Sequence, residues 1–271
     1  MASLLRARDE SAALLASGYV MTRFKRLRVH GRRAYRVTAR GDLGVGGSMG
    51  YVRYGSALPI DHSIYRAGQQ VFLDQGPGTR LLAPCTAAFA VQDPVAGVSG
   101  LSAGHCGAPA PQNTGLPVQR AYLPNVRLRL GAVLRGAEER GFDALEYSID
   151  SRWGVAQQIE RGDLPPLTVF GVAEDVTIGR GTRVCFAGRS TGAQTCGRVK
   201  GFKDGLRCVG VKTVLGDSGG PVYYDPGAGL TTRAVGIVAI SLDAKDQMCF
   251  TPINRVLARF GVTFPPGPFV R

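Results

Sequence analysis

The stretch that decides the reading is Gly216-Asp217-Ser218-Gly219-Gly220-Pro221-Val222. Small neighbours let the backbone around a serine bend tightly and approach a substrate. Such a turn can aim the amide N–H groups of Gly216 and Ser218 at one point. Two converged donors there would hold the oxyanion of a tetrahedral intermediate. A glycine-rich hairpin turn is the competing reading, because the chain carries 38 Gly.

The same string satisfies the G-x-S-x-G nucleophile elbow. That fold places its histidine after the serine, whereas His30, His62 and His105 all precede Ser218. The elbow is therefore excluded, and the orders His-Asp-Ser and Asp-His-Ser remain. His105 lies in Leu101-Ser102-Ala103-Gly104-His105-Cys106-Gly107, just after an apolar run from Val91 to Val98. A histidine at such a strand end needs polar partners and fills a core poorly.

Ser102-Ala103-Gly104-His105-Cys106, taken with Gly216-Asp217-Ser218-Gly219-Gly220-Pro221, resembles the chymotrypsin-like serine proteases. The pattern is nearest to the secreted bacterial branch of streptogrisin and α-lytic protease. Two further stretches carry the likeness: Val184-Cys185-Phe186-Ala187-Gly188-Arg189-Ser190-Thr191-Gly192 and Phe250-Thr251-Pro252-Ile253-Asn254. It covers the chain from Cys85 to Val262. The resemblance implies an all-β fold of two antiparallel β-barrels with a C-terminal helix. It implies a serine endopeptidase that hydrolyses polypeptide through an acyl-enzyme and uses no metal or cofactor.

Ser218 would be the nucleophile and His105 the base that takes its proton. The base needs a carboxylate to fix its tautomer and to stabilise the imidazolium. Asp143, Asp150 and Asp163 lie between the two motifs. Asp143 is favoured because Ala144-Leu145 turn directly into an apolar strand. Asp150 is the reserve, and Asp163 reads as a surface acid. The oxyanion hole is assigned to the N–H groups of Gly216 and Ser218. The specificity pocket is assigned to Lys212, Leu215, Ile240 and Ser241, with Lys212 at its base.

Three positions depart from the family pattern. Ala239 stands where the family has a serine that supports the buried aspartate. Phe186 stands where the bacterial branch has an arginine pairing with the aspartate before the nucleophile, so the partner of Asp217 is left open, with Arg183 or Arg189 as candidate substitutes. Cys208 lies far upstream of Ser218, which implies an insertion in the pocket wall.

Six cysteines, none in C-x-x-C spacing, favour disulfides over zinc and allow fifteen connectivities. The resemblance implies Cys85–Cys106, Cys185–Cys196 and Cys208–Cys249. Disulfides imply an oxidising compartment, hence a secreted protein.

The chain has 271 residues, 44% of them hydrophobic, and a net charge of +13. No apolar run reaches the roughly 18 residues of a membrane span. The first forty residues carry ten Lys/Arg against Asp9 and Glu10, a net of +8. Residues 1–50 therefore read as a basic extension, a pro-segment or a mis-started sequence, without a clear signal peptide. It lacks a stacking-aromatic pattern and reads as solvated or processed, not as nucleic-acid-binding. Residues 41–50 read as a glycine-rich linker. Val45-Gly46-Gly47 resembles an activated N-terminus but lies far from Cys85. Asp61-His62-Ser63 reads as a surface turn, since three consecutive side chains cannot converge as a triad.

Short apolar runs broken by Gly and Pro then predict strands near 70–73, 86–91, 128–134 and 144–149. A second block follows near 167–172, 182–186, 198–202, 221–224 and 234–241. The proline pair in Asp163-Leu164-Pro165-Pro166 predicts a linker. It divides a first barrel, 51–163, from a second, 164–271. In the tail Thr251 is the expected helix cap, Pro252 the first helical position and Gly261 the C-terminal stop. A monomer is expected. The alternative reading is a catalytically impaired chymotrypsin-fold protein that binds anionic surfaces.

Overall fold

The structure is a computed structural model that describes residues 20–29, 32–40, 48–54, 63–73, 84–107, 117–123, 126–161, 164–192, 194–227, 229–242 and 246–265. Residues 1–19, His30, Val45-Gly46-Gly47, Asp61, His62 and Asp163 lie outside the described residues. The chain divides into one unit of Met1–Tyr65 with Ser151–Gly154, and another of Arg66–Asp150 with Val155–Arg271.

The first unit holds β1 (Val20–Val29), β2 (Arg32–Arg40) and β3 (Ser48–Tyr54) in one antiparallel sheet. Ser48, Met49 and Gly50 pair with Arg40, Ala39 and Thr38. The expected linker therefore gives way to a strand at Ser48. Tyr51, Val52 and Tyr54, which favour strands, carry that strand onward. β4 (Ser63–Ala67) follows and begins at the serine of the suspected surface turn.

In the second unit, seven strands form one sheet. They are β5 (Gln70–Leu73), β6 (Cys85–Thr86), β7 (Ala90–Asp93), β8 (Gly97–Ser102), β9 (Pro117–Leu123), β10 (Val126–Glu139) and β11 (Phe142–Ser148). Their spatial order is β6-β5-β9-β10-β11-β8-β7. The run expected at 86–91 is interrupted. Ala87 and Ala88 leave the ladder and donate instead to the carbonyls of Gln69 and Leu101.

The remaining strands are β12 (Trp153–Arg161), β13 (Leu164–Val172), β14 (Arg183–Ala187), β15 (Gln194–Lys203), β16 (Leu206–Val209), β17 (Pro221–Tyr224), β18 (Thr231–Leu242) and β19 (Gln247–Pro252). Their order is β17-β14-β15-β16-β19-β18-β13-β12, and β17 also pairs with β18, closing six of them into a ring. Inside that ring Val184, Phe186, Val199, Val209, Val222, Val238 and Phe250 form an apolar core.

The proline pair is no linker, because Pro165 and Pro166 lie within β13. They sit at its start, beside a bulge where β12 pairing skips from Ile159 to Arg161. A strand tolerates proline at its first residues and at bulges. The Pro165 carbonyl is used by the guanidinium of Arg161.

Helix α1 (Ile253–Phe260) follows β19 directly. At eight residues it is too short to stand alone in water. It docks by burying Ile253, Val256 and Phe260, each worth about 1.5–3 kcal/mol. Pro252 caps it without a side-chain hydrogen bond, so Thr251 is not the cap that was expected. The Thr251 hydroxyl is used elsewhere, as described below. All six cysteines are paired, as Cys85–Cys106, Cys185–Cys196 and Cys208–Cys249.

Candidate active site

His105 sits on the single turn Gly104–Cys106 at the end of β8. Asp143 is the second residue of the neighbouring strand β11. The Asp143 carboxylate accepts two hydrogen bonds from His105, one from the main-chain N–H at 2.9 Å and one from Nδ1 at 2.7 Å. A carboxylate only accepts, so Nδ1 carries the hydrogen, and in the neutral ring Nε2 keeps its lone pair. The turn must have glycine at 104: a side chain there would meet the Ala137 carbonyl and Asp143 Oδ1. The Asp143 side chain is 7% exposed and the His105 ring 31%. Burial of the ring opposes its charge. The hydrogen bond and charge of Asp143, with the charge of Glu138, outweigh burial and raise the His105 pKa above its ordinary value. Glu138 lies directly across from Asp143 in the β10–β11 register.

Ser218 lies on the loop between β16 and β17. Three ties bring this loop to the His105 turn. The Thr86 N–H donates to the Ser218 carbonyl at 2.8 Å, and the Thr86 hydroxyl donates to the Gly216 carbonyl at 2.7 Å. Cys85, beside Thr86, is bonded to Cys106, beside His105. Gly219 adopts φ +83, and a Cβ there would collide with Ser102 Oγ and the Thr86 carbonyl. Only glycine fits so close to β8. Among the described residues no hydrogen bond joins Ser218 Oγ to His105. Such contacts are often long without substrate and tighten when it binds.

Within residues 216–220 the amides of Asp217, Gly219 and Gly220 all donate to carbonyls, those of Val214, Val238 and Asp217. Those of Gly216 and Ser218 have no acceptor among the described residues. Among the described residues they are two unpaired donors, the serine's own N–H and that of the glycine two residues before it.

Asp217 is fully buried. Its carboxylate accepts from the N–H groups of Ser190 (3.0 Å), Thr191 (2.8 Å) and Val214 (3.0 Å), and from the Thr191 hydroxyl. Neither candidate arginine belongs to this set. Arg183 pairs with Asp225 instead, and Arg189 donates its main-chain N–H to Thr86 Oγ1. Phe186 is core, opposite Thr195 and Val222. Four donors satisfy the buried carboxylate without a cation.

Ala239 is buried against Leu206, Cys208 and Cys249, with Ile240 packed beside it. It offers Asp143 no hydrogen bond. Among the described residues, only His105 donates to the Asp143 carboxylate. Asp150 follows β11 and donates its N–H to Leu130; it is not brought to His105. Lys212 and Leu215 are exposed on the stretch before Ser218. Ser241 is a backbone partner of Met248 in β18. Cys185, Cys196 and Asp225 bring three metal-ligating atoms together, but both sulfurs belong to a disulfide.

Thr86, Thr251 and Glu138 were not singled out as site residues from sequence. Thr251 stood inside a stretch that carries the resemblance. Thr86 and Glu138 had no local signal, because only strand pairing brings them here.

No protein-family model matches the chain, and no curated protein matches it. The structure is similar to solved bacterial proteases. Thermobifida fusca protease A aligns at TM-score 0.56 and 23% identity, over 76% of this chain and 100% of that one. Cellulomonas bogoriensis chymotrypsin aligns at 0.55 and 21%, over 75% and 100%. A protein described as a glutamic-acid-specific serine protease that uses a histidine triad in substrate binding aligns at 0.54 and 19%, over 74% and 100%. The chain has the chymotrypsin-like fold.

Proposed function

We propose that the protein is a serine endopeptidase acting on polypeptide through an acyl-enzyme. One observation carries this reading: a single carboxylate, Asp143, accepts both the N–H and the Nδ1–H of His105. That leaves Nε2 of the neutral ring free to act as a base. Ser218 Oγ attacks the scissile carbonyl carbon as its proton passes to His105 Nε2. The resulting oxyanion takes the free N–H groups of Gly216 and Ser218. The imidazolium, stabilised by Asp143, returns the proton to the leaving amine, and water repeats the sequence on the acyl ester. Three disulfides support a secreted protein. Two catalytic lobes, divided near residue 163, and a monomeric state are part of the same proposal.

Labelling with a serine-directed phosphonate, followed by peptide mapping, tests the reading. Ser218 should carry the label, and Ser218→Ala should abolish both label and hydrolysis. Asp143→Asn should cost about 10⁴-fold in turnover through the wrong tautomer, with Asp150→Asn near wild type. A folded protein that takes no label and cleaves no peptide rejects the proposal in favour of an anionic-surface binding protein.

A further inference from the structure

Three consecutive residues, Gly141, Phe142 and Asp143, are each held by the C-terminal stretch from Thr251 to Phe260. The Thr251 hydroxyl accepts the Asp143 N–H at 3.1 Å and donates to the Asp143 carbonyl at 2.9 Å. Arg255 Nη1 donates to the Gly141 carbonyl at 2.8 Å and to that of Gly205 at 2.9 Å. The Phe260 ring meets Phe142 edge-on, with centroids 5.8 Å apart at 87°. Thr251 is fully buried.

The need for this grip follows from the strand pairing. β11 pairs with β8 only from Leu145 onward, so at Asp143 no β8 residue stands opposite. One hydroxyl supplies both missing partners, a donor and an acceptor on the same side chain. Among the described residues the carboxylate itself accepts from His105 alone. Its direction is therefore set by where the Asp143 backbone is pinned.

We propose that Thr251 is a positioning residue and that Thr251–Phe260 is a clamp setting the Asp143 carboxylate against His105. This rests on the endopeptidase reading for its effect on turnover, but not for its effect on His105. Thr251→Val keeps the shape and removes the hydroxyl. Turnover should fall about 10²-fold, the scale of an ångström-sized misplacement, with KM unchanged. The His105 ring titration, followed by NMR and assigned with His105→Ala, should move down toward the ordinary histidine value as Asp143 disengages. The other charge acting on the ring, Glu138, is untouched. Thr251→Ser should restore both properties. Arg255→Gln, at an exposed position, should give a smaller change in the same direction and keeps the test open if Thr251→Val does not fold. Wild-type turnover and an unshifted His105 titration in folded Thr251→Val overturn the clamp. The same result in Arg255→Gln does so if the valine variant cannot be made. If the parent protein hydrolyses nothing but Thr251→Val still shifts His105, the endopeptidase reading falls and the clamp stands.

Discussion

The main-chain N–H of Thr86 donates to the carbonyl of Ser218 at 2.8 Å, across 132 positions of sequence. The Thr86 side chain adds bonds to the Gly216 carbonyl and from the Arg189 N–H. A strand of two residues thus reaches from the cysteine tied to His105's neighbour to the loop that bears the serine. Thr86→Val should leave the main-chain bond and orphan both side-chain partners in a fully buried place. The expected loss is about 1–3 kcal/mol in urea unfolding, with a fall in turnover beyond any change in KM. Lost stability with turnover intact would mean that Thr86 holds the fold but not the site.

If the protein is the proposed endopeptidase, proton uptake at His105 should set the acid side of its rate profile. The ring must be neutral to act as a base, and Asp143 and Glu138 raise its pKa above the ordinary value of about 6.5 despite burial. Hydrolysis should therefore rise with pH through a midpoint above that value. Glu138→Gln removes one of the two attractive charges. It should move the midpoint down while leaving the plateau unchanged. A midpoint that stays in place would show that solvent already screens Glu138.

Arg135 stands between two carboxylates. It donates from Nε to Glu146 at 2.7 Å and from Nη2 to Asp93. Glu146 is fully buried and also takes the Ser99 hydroxyl at 2.5 Å. Arg135→Met would strand that charge, at a cost of about 3 kcal/mol. Adding Glu146→Gln should recover part of the loss. Urea titration of both variants reads the difference, and equal stability of Arg135→Met and the parent would refute the prediction.

The proposed specificity pocket includes Lys212, six residues before the serine. It is exposed and makes no ion pair among the described residues. A cation near the pocket base repels Lys or Arg of a substrate. Peptide-library profiling should therefore show little cleavage after basic residues and a preference for small or medium apolar ones. Acidic residues would be favoured if Lys212 reaches the pocket, and Lys212→Ala should then abolish that preference. Dominant cleavage after Lys or Arg would reject the assignment.

The tight turns at Ser218 and His105 were legible because each stands in a short motif whose neighbours are themselves required: Gly219 and Gly104 have no room for a side chain. The bonding of Asp143 to His105 was foreshadowed by the apolar strand that follows it. The partners of Asp217 were not, because three of its four donors are backbone amides, which no residue type announces. Thr251 was misread because Thr-Pro before an apolar helix fits a cap. Only the pairing of β11 reveals that the same hydroxyl is needed at Asp143. The sheet at 20–54 was hidden because arginines dominate β1 and β2, and charge obscured their strand character.

The way Asp217 is held bears on where the protein can work. Surface ion pairs weaken as added electrolyte screens them. Among the described residues the Asp217 carboxylate, next to Ser218, takes hydrogen bonds from neutral donors alone and is sealed from solvent. Concentrated brine thus has no ion pair to loosen at this point. The loop that bears Ser218 should keep its shape at ionic strengths that would erode an arginine-held counterpart.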